Sequence, residues 1–244
     1  MKLVTLLSLL LIAPLTVQAS DYAKEQRWKE QVVGDLFDGE PITLNDGQQD
    51  FLGLIIKADP AKQNAVVILH GIGAHPDWPQ VVNPLRVQLA EDGWTTLSIQ
   101  LPILDNEAAP EAYDAIINEA SPRIAAALAY LQDHGASGSY IVAHSMGSRM
   151  ASDYLANTGR PVKGFIGIGM NVGTVEYMDQ YKLPVLDIYG SDDLEGVLDS
   201  AADRASQASG NPRYIQVVVD GANHFFDGME DELYARVKAW LETN

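Results

Sequence analysis

The sequence contains no cysteine. That excludes disulfides, thiolate metal sites, a thiol nucleophile and a lipid-carrying N-terminal cysteine. Basic residues are scarce, 16 Lys and Arg against 33 Asp and Glu, which leaves a formal charge of −17. Nucleic acids and anionic lipid surfaces require a basic footprint that releases counterions, and the surplus here has the opposite sign. Low-complexity tracts, internal repeats and linker-like stretches are also missing, so nothing divides the chain. What is left is a 244-residue acidic sequence, 47% hydrophobic, the composition of one folded globular domain that is an enzyme or a small-molecule binder.

One long apolar run is present, and it is N-terminal. Met1-Lys2 supplies a short positive start, Leu3 to Val17 is almost unbroken, and Val17-Gln18-Ala19 puts small residues at −3 and −1 of a cut before Ser20. The run is short for a membrane span and passes into Asp21 with no basic stop-transfer flank. The expected organisation is a cleaved signal peptide, 1–19, followed by a single domain, 20–244. The mature protein is then expected to have no membrane span and to be exported, to the periplasm.

Past that point, short apolar runs alternate with helical patterns. Ser20 to Gln31 is polar and helical. Ile42 to Leu44 and Phe51 to Lys57 read as strands around the turn signal Asn45-Asp46-Gly47. Ala65 to Leu69, Trp94 to Ile99, Ser139 to Ala143, Val162 to Ile168, Val185 to Tyr189 and Tyr214 to Val219 read as buried strands. Ile124, Leu128 and Leu131 share one helix face, and Leu233, Val237 and Trp240 another. Near-continuous apolar strands separated by helices predict an α/β fold: a doubly wound, mostly parallel sheet with helices on both faces, preceded by an antiparallel N-terminal pair.

Such a sheet carries its chemistry at the carboxyl ends of its strands. Three of those ends hold suggestive residues. Ala143-His144-Ser145-Met146-Gly147 joins a strand to a helix, where small residues two before and two after the serine let the backbone crowd and lift the hydroxyl above the sheet edge. Leu69-His70-Gly71-Ile72-Gly73 follows a strand upstream, and its glycines free the backbone to turn amides inward. The amides of Ile72 and Met146 are the natural oxyanion donors, the latter at a helix N-terminus where the dipole also favours negative charge. The same segment fails as a phosphate loop, having no Gly-Lys-Ser/Thr, and His70 itself reads as structural. Finally, Ser191-Asp192-Asp193 and Asn223-His224 follow the last two strands. A serine is nucleophilic only when a base takes its proton, and a neutral imidazole does so best when a carboxylate fixes its tautomer. Ser145, Asp192 or Asp193, and His224 supply those three roles.

With these residues set out, the chain resembles the α/β-hydrolase superfamily across nearly all of its mature length. The resemblance rests on the His70-Gly71-Ile72-Gly73 loop, the Ser145 elbow, the Gly190-Ser191-Asp192-Asp193 turn and the Gly221-Ala222-Asn223-His224 loop. The block from His70 to Pro79, with Leu97 to Pro102, is similar to a family of exported proteobacterial α/β-hydrolases of unassigned function. The resemblance implies a Ser-Asp-His chain order, an acid three residues after the loop glycine and hence Asp193, and hydrolysis of an ester-type acyl substrate through an acyl-enzyme. Ala143 departs from the pattern's first glycine, as in some lipases and esterases. A non-catalytic binding module on the same fold and an acyltransferase using the same triad are the alternatives.

His75 leaves the oxyanion loop and is a candidate substrate contact at the site's mouth, although Pro76 and Pro79 equally describe a rigid turn. His134 beside Gly135 reads as a helix end. No metal motif or cofactor fingerprint is present, so no cofactor is expected. The stretch from Ile168 to Val185 is too short for a large helical cap. The segment from Leu101 to Ser121 is the one able to cover the pocket. The expected partner is a small-molecule acyl substrate, with a monomer as the default state.

Overall fold

Runs of β-branched residues set the strands. In the computed structural model, which describes residues 20–58, 63–158 and 161–244, eight strands make one sheet. They are β1 (Glu40–Asn45), β2 (Asp50–Ile56), β3 (Asn64–Leu69), β4 (Thr95–Ile99), β5 (Gly138–His144), β6 (Gly164–Ile168), β7 (Val185–Asp192) and β8 (Tyr214–Asn223). Their spatial order is β1-β2-β4-β3-β5-β6-β7-β8. β1, β2 and β4 pair antiparallel, and β4 to β8 are parallel through β3. The expected signal peptide, 1–19, lies outside the described residues.

Among the described residues seven α-helices accompany the sheet: α1 (Tyr22–Asp35), α2 (Val82–Glu91), α3 (Ala120–Asp133), α4 (Met146–Asn157), α5 (Glu195–Asp199), α6 (Ala201–Gln207) and α7 (Glu230–Leu241). Alternate residues of one strand serve opposite cores. Ala65, Val67 and Leu69 of β3 join Ile124, Leu128 and Leu131 of α3 and Met150 of α4. Val66 and Ile68 face Leu85 and Leu89 of α2 and Leu233, Val237 and Trp240 of α7. Both faces of β3 are therefore dry, which explains a run with no polar alternation.

Three features refine the expected layout. Residues after Ile99 turn inward, so Leu101, Leu104, Tyr113, Ile116 and Ile117 belong to the core beneath α3, and the Tyr113 hydroxyl accepts the Leu104 amide at 3.0 Å. Helix α1 is tied down by Arg123 of α3. That buried guanidinium donates to Glu25 at 2.8 Å and to Asp46 in the β1–β2 turn at 3.2 Å. Strands β7 and β8 also run further than the apolar pattern, to Asp192 and Asn223, because pairing continues past an irregularity between Gly190 and Asp192. A side chain at Gly190 would stand 1.9 Å from the Ala222 carbonyl oxygen, so only glycine permits this approach. The extension carries the two final loops side by side.

Candidate active site

Strand β5 ends at His144, and Ser145 turns the chain into α4 with φ 53° and ψ −121°. A non-glycine residue held there stores of order 1–3 kcal/mol of strain, so surrounding contacts must enforce it. The Ser145 amide donates to the Ile168 carbonyl at 2.8 Å, and the Ser148 amide donates to the Ser145 carbonyl at 2.9 Å. Gly147 abuts the end of β3 so closely that a Cβ would lie 2.5 Å from the His70 carbonyl oxygen. Glycine two residues after the serine is thus a steric necessity. Ala143, where the pattern has glycine, buries its methyl in the core on the α3 side.

The structure brings three distant side chains into one hydrogen-bonded line. His224 Nε2 lies 3.0 Å from Ser145 Oγ, and its Nδ1 lies 2.6 Å from Asp193 Oδ1. The Asp193 carboxylate is fully buried and also accepts the amides of Leu194 at 2.7 Å and Gly190 at 3.4 Å. This arrangement assigns the tautomer. Nδ1–H donates to Asp193, and Nε2 is left to accept the serine proton. Asp192 is exposed and takes its hydrogen bond from Ser191 Oγ at 3.3 Å, so of the two adjacent acids it is Asp193 that meets the imidazole.

Two further residues hold His224, His144 of the elbow and a glycine that carries no sequence motif. His144 is buried, and its Nε2 donates to the His224 backbone carbonyl at 2.9 Å, with the two ring centroids 4.8 Å apart. Burial, reinforced by the neighbouring His224, pushes the His144 pKa down to about 4 and keeps the ring neutral. Gly169, just after β6, has φ +61°, and a Cβ there would sit 2.8 Å from His224 Cε1. The chain must pass the imidazole without a side chain.

The second loop lies against the first. A Cβ on Gly71 would be 3.2 Å from Ser145 Cβ, so the loop that carries the Ile72 amide borders the hydroxyl. The Met146 amide opens α4 and has no acceptor within the helix. His70 buttresses this loop. Its Nδ1–H donates to the Gly71 carbonyl at 2.8 Å and its Nε2 accepts the Leu101 amide at 2.9 Å, while burial takes its pKa to about 3. His75 is 8% exposed and packs against Trp28 and Trp78 at 4.7 and 5.2 Å between centroids. It offers almost no surface to a ligand and joins α1 to the loop instead.

Two broader surface concavities, of about 510 and 410 Å³, lie at the other end of the sheet, around Gly138 and Lys163 and around Thr95 and Asn64. They sit by the amino ends of parallel strands, away from Ser145. Among the described residues no group of three or more His, Cys, Asp or Glu side chains is arranged to hold a metal. No helix among them is long and apolar enough to cross a membrane.

A family model described as "Protein of unknown function (DUF3530)" matches residues 3–122 and 106–243. No curated protein matches the chain. Among solved structures, the chain is similar to Est1E from Butyrivibrio proteoclasticus, with 15% identity, a TM-score of 0.69 and coverage of 84% of this chain and 98% of that one. It is also similar to the Pyrococcus furiosus esterase Pf2001, with 14% identity, a TM-score of 0.71 and coverage of 85% and 93%. The dienelactone hydrolase of Anabaena variabilis gives 19% identity, a TM-score of 0.69 and coverage of 84% and 97%. At such identities the likeness establishes the architecture, which is the α/β-hydrolase fold.

Proposed function

We propose that this chain, which belongs to the DUF3530 family, is a serine hydrolase that cleaves an ester-type acyl substrate through an acyl-enzyme. The observation that carries the reading is the line Asp193–His224–Ser145, with contacts of 2.6 and 3.0 Å, on a strained strand-to-helix turn. Strain and burial are maintained there at a cost to stability, and the chemistry they favour is proton removal from a serine.

Ser145 Oγ attacks the acyl carbonyl as His224 Nε2 takes its proton. Asp193 supports the imidazolium, and the developing oxyanion is received by the Ile72 and Met146 amides, each worth roughly 3–4 kcal/mol in comparable sites. His224 then passes the proton to the leaving alkoxide. Water, activated by the same imidazole, releases the acid and restores the serine. No cofactor is required by this sequence of steps.

The N-terminal reading is part of the same proposal: signal peptide 1–19, one hydrolase domain from residue 20, and export to the periplasm. The Ser20 nitrogen lies 3.3 Å from Glu119 Oε2. Cleavage before Ser20 would make that nitrogen an ammonium already facing a carboxylate.

Steady-state hydrolysis of p-nitrophenyl acetate tests the function. Wild type should turn over with a burst of p-nitrophenol. Ser145→Ala and His224→Ala should each fall by at least about 10³-fold. Equal activity in wild type and Ser145→Ala would exclude the serine mechanism.

A further inference from the structure

Among the described residues, large apolar side chains facing solvent are few, and several of them gather at one edge. Ile72, Val172, Leu194 and Phe225 are 40%, 67%, 57% and 38% exposed. They stand on the loops that follow β3, β6, β7 and β8, all at the carboxyl end of the parallel sheet. Each is also tied to the candidate site. Ile72 follows Gly71, which touches Ser145. Leu194 follows Asp193 and donates its amide to that carboxylate. Phe225 packs its ring 5.2 Å from the His224 imidazole and 5.8 Å from His144. Val172 is three residues beyond Gly169, the glycine that abuts His224.

Exposed apolar area of this kind is unfavourable in water and marks a surface that something covers. What covers it is defined by the chemistry at its centre. An acyl carbonyl seated at Ser145 projects its own chain across these loops. Asp192, Glu195 and Asp227, exposed beside Leu194 and Phe225, are acidic, and the Arg149 guanidinium that lies against Gly173 is paired with Asp114, so the balance of charge disfavours an anionic substrate.

We propose that Ile72, Val172, Leu194 and Phe225 seat an apolar acyl chain, so that the preferred substrate is an ester of a medium-length aliphatic acid and not an acetate or an ester of a charged acid. This rests on the serine-hydrolase reading.

The test is kcat/KM for p-nitrophenyl acetate, butyrate and octanoate. Wild type should gain about tenfold or more from acetate to octanoate, the equivalent of burying about two of the six added methylenes. In Val172→Ser/Leu194→Ser the octanoate-to-acetate ratio should fall by about fivefold. Both positions are exposed, so circular dichroism should show an intact fold. Phe37→Ser, 94% exposed at the end of α1, should leave the ratio unchanged. An emulsified triglyceride compared with dissolved octanoate tells whether the chain arrives on a lipid assembly or on a free ester, and either preference supports the seat. A flat or falling ratio in wild type, with acetate still hydrolysed, overturns this inference alone. Absence of hydrolysis on every ester, with Ser145 unreactive to a phosphonate, removes the hydrolase reading and the inference with it.

Discussion

Gly169→Ala adds one methyl group and touches no reacting atom, yet it should cripple the proposed catalysis. The new Cβ would stand 2.8 Å from His224 Cε1, 2.9 Å from Nδ1 and 3.5 Å from Asp193 Oδ2. Ordinary contact begins near 3.4 Å, so the imidazole must retreat by about 0.6 Å. It has little room, because His144 and Phe225 flank it at 4.8 and 5.2 Å between centroids. Retreat stretches the 2.6 Å bond to Asp193 or the 3.0 Å bond to Ser145. A displacement approaching 1 Å costs about 10²-fold in rate, so kcat should fall by roughly 10- to 100-fold. The positive φ adds about 1–2 kcal/mol of strain, lowering Tm by several degrees for a chain of this length. Ester turnover and a thermal melt, measured on the same sample, separate the two effects. A folded Gly169→Ala protein with kcat within threefold of wild type would refute the steric argument.

Other consequences follow from the same contacts. His144→Ala should lower kcat by about tenfold or more with little change in KM, and His144→Gln, which keeps a donor for the His224 carbonyl, should recover most of it; equal losses in both would remove the positioning role. Stability should also fall on acidification. His70 and His144 are held at about 3 and about 4 by burial, so their contribution is full above pH 6.5 and lost as pH drops toward those values. Glu25, raised to about 7 by burial against the pull of Arg123, acts in reverse, its contribution being present below pH 4.5 and lost as pH rises through 7. Around pH 5.5 the buried histidines, His75 among them, outweigh Glu25, so the unfolded chain binds more protons than the fold and the unfolding free energy should drop on acidification. Urea denaturation should show a steeper loss of stability on acidification in Glu25→Gln than in wild type, and an unchanged slope would contradict it. Finally, Arg204 and Asp187 are fully buried partners at 2.8 Å. Arg204→Leu should cost about 3–5 kcal/mol and lower Tm by roughly 10 °C, by leaving the buried carboxylate without its cation and with only the Tyr214 hydroxyl and the Gln216 amide donating to it.

The strands were legible because a sheet covered on both faces demands unbroken apolar runs, and Ala65 to Leu69 can be little else. Ser145 and His224 were legible because each ends such a run, and the topology sends those ends to one edge. Adjacent acids defeat this kind of reasoning. Asp192 and Asp193 differ by one position, and what distinguishes them is the irregularity after Gly190 that turns Asp193 inward onto the Gly190 and Leu194 amides. Gly169 and the donor role of His144 were hidden for a related reason. Their meaning lies in contacts with His224, 80 residues away from His144, and no local pattern records a partner at that distance. For His75 the sequence left two readings open, a substrate contact or a rigid turn, and no local pattern foretells that Trp28 of α1 packs against its ring.

In the proposed mechanism His224 and Asp193 activate Ser145. The most direct test is intact-mass analysis of the purified protein after treatment with a fluorophosphonate, beside Ser145→Ala and His224→Ala. A single adduct is expected on wild type, none on Ser145→Ala and strongly slowed labelling of His224→Ala. A well-folded wild type that takes no adduct, or takes one equally well in Ser145→Ala, would contradict it.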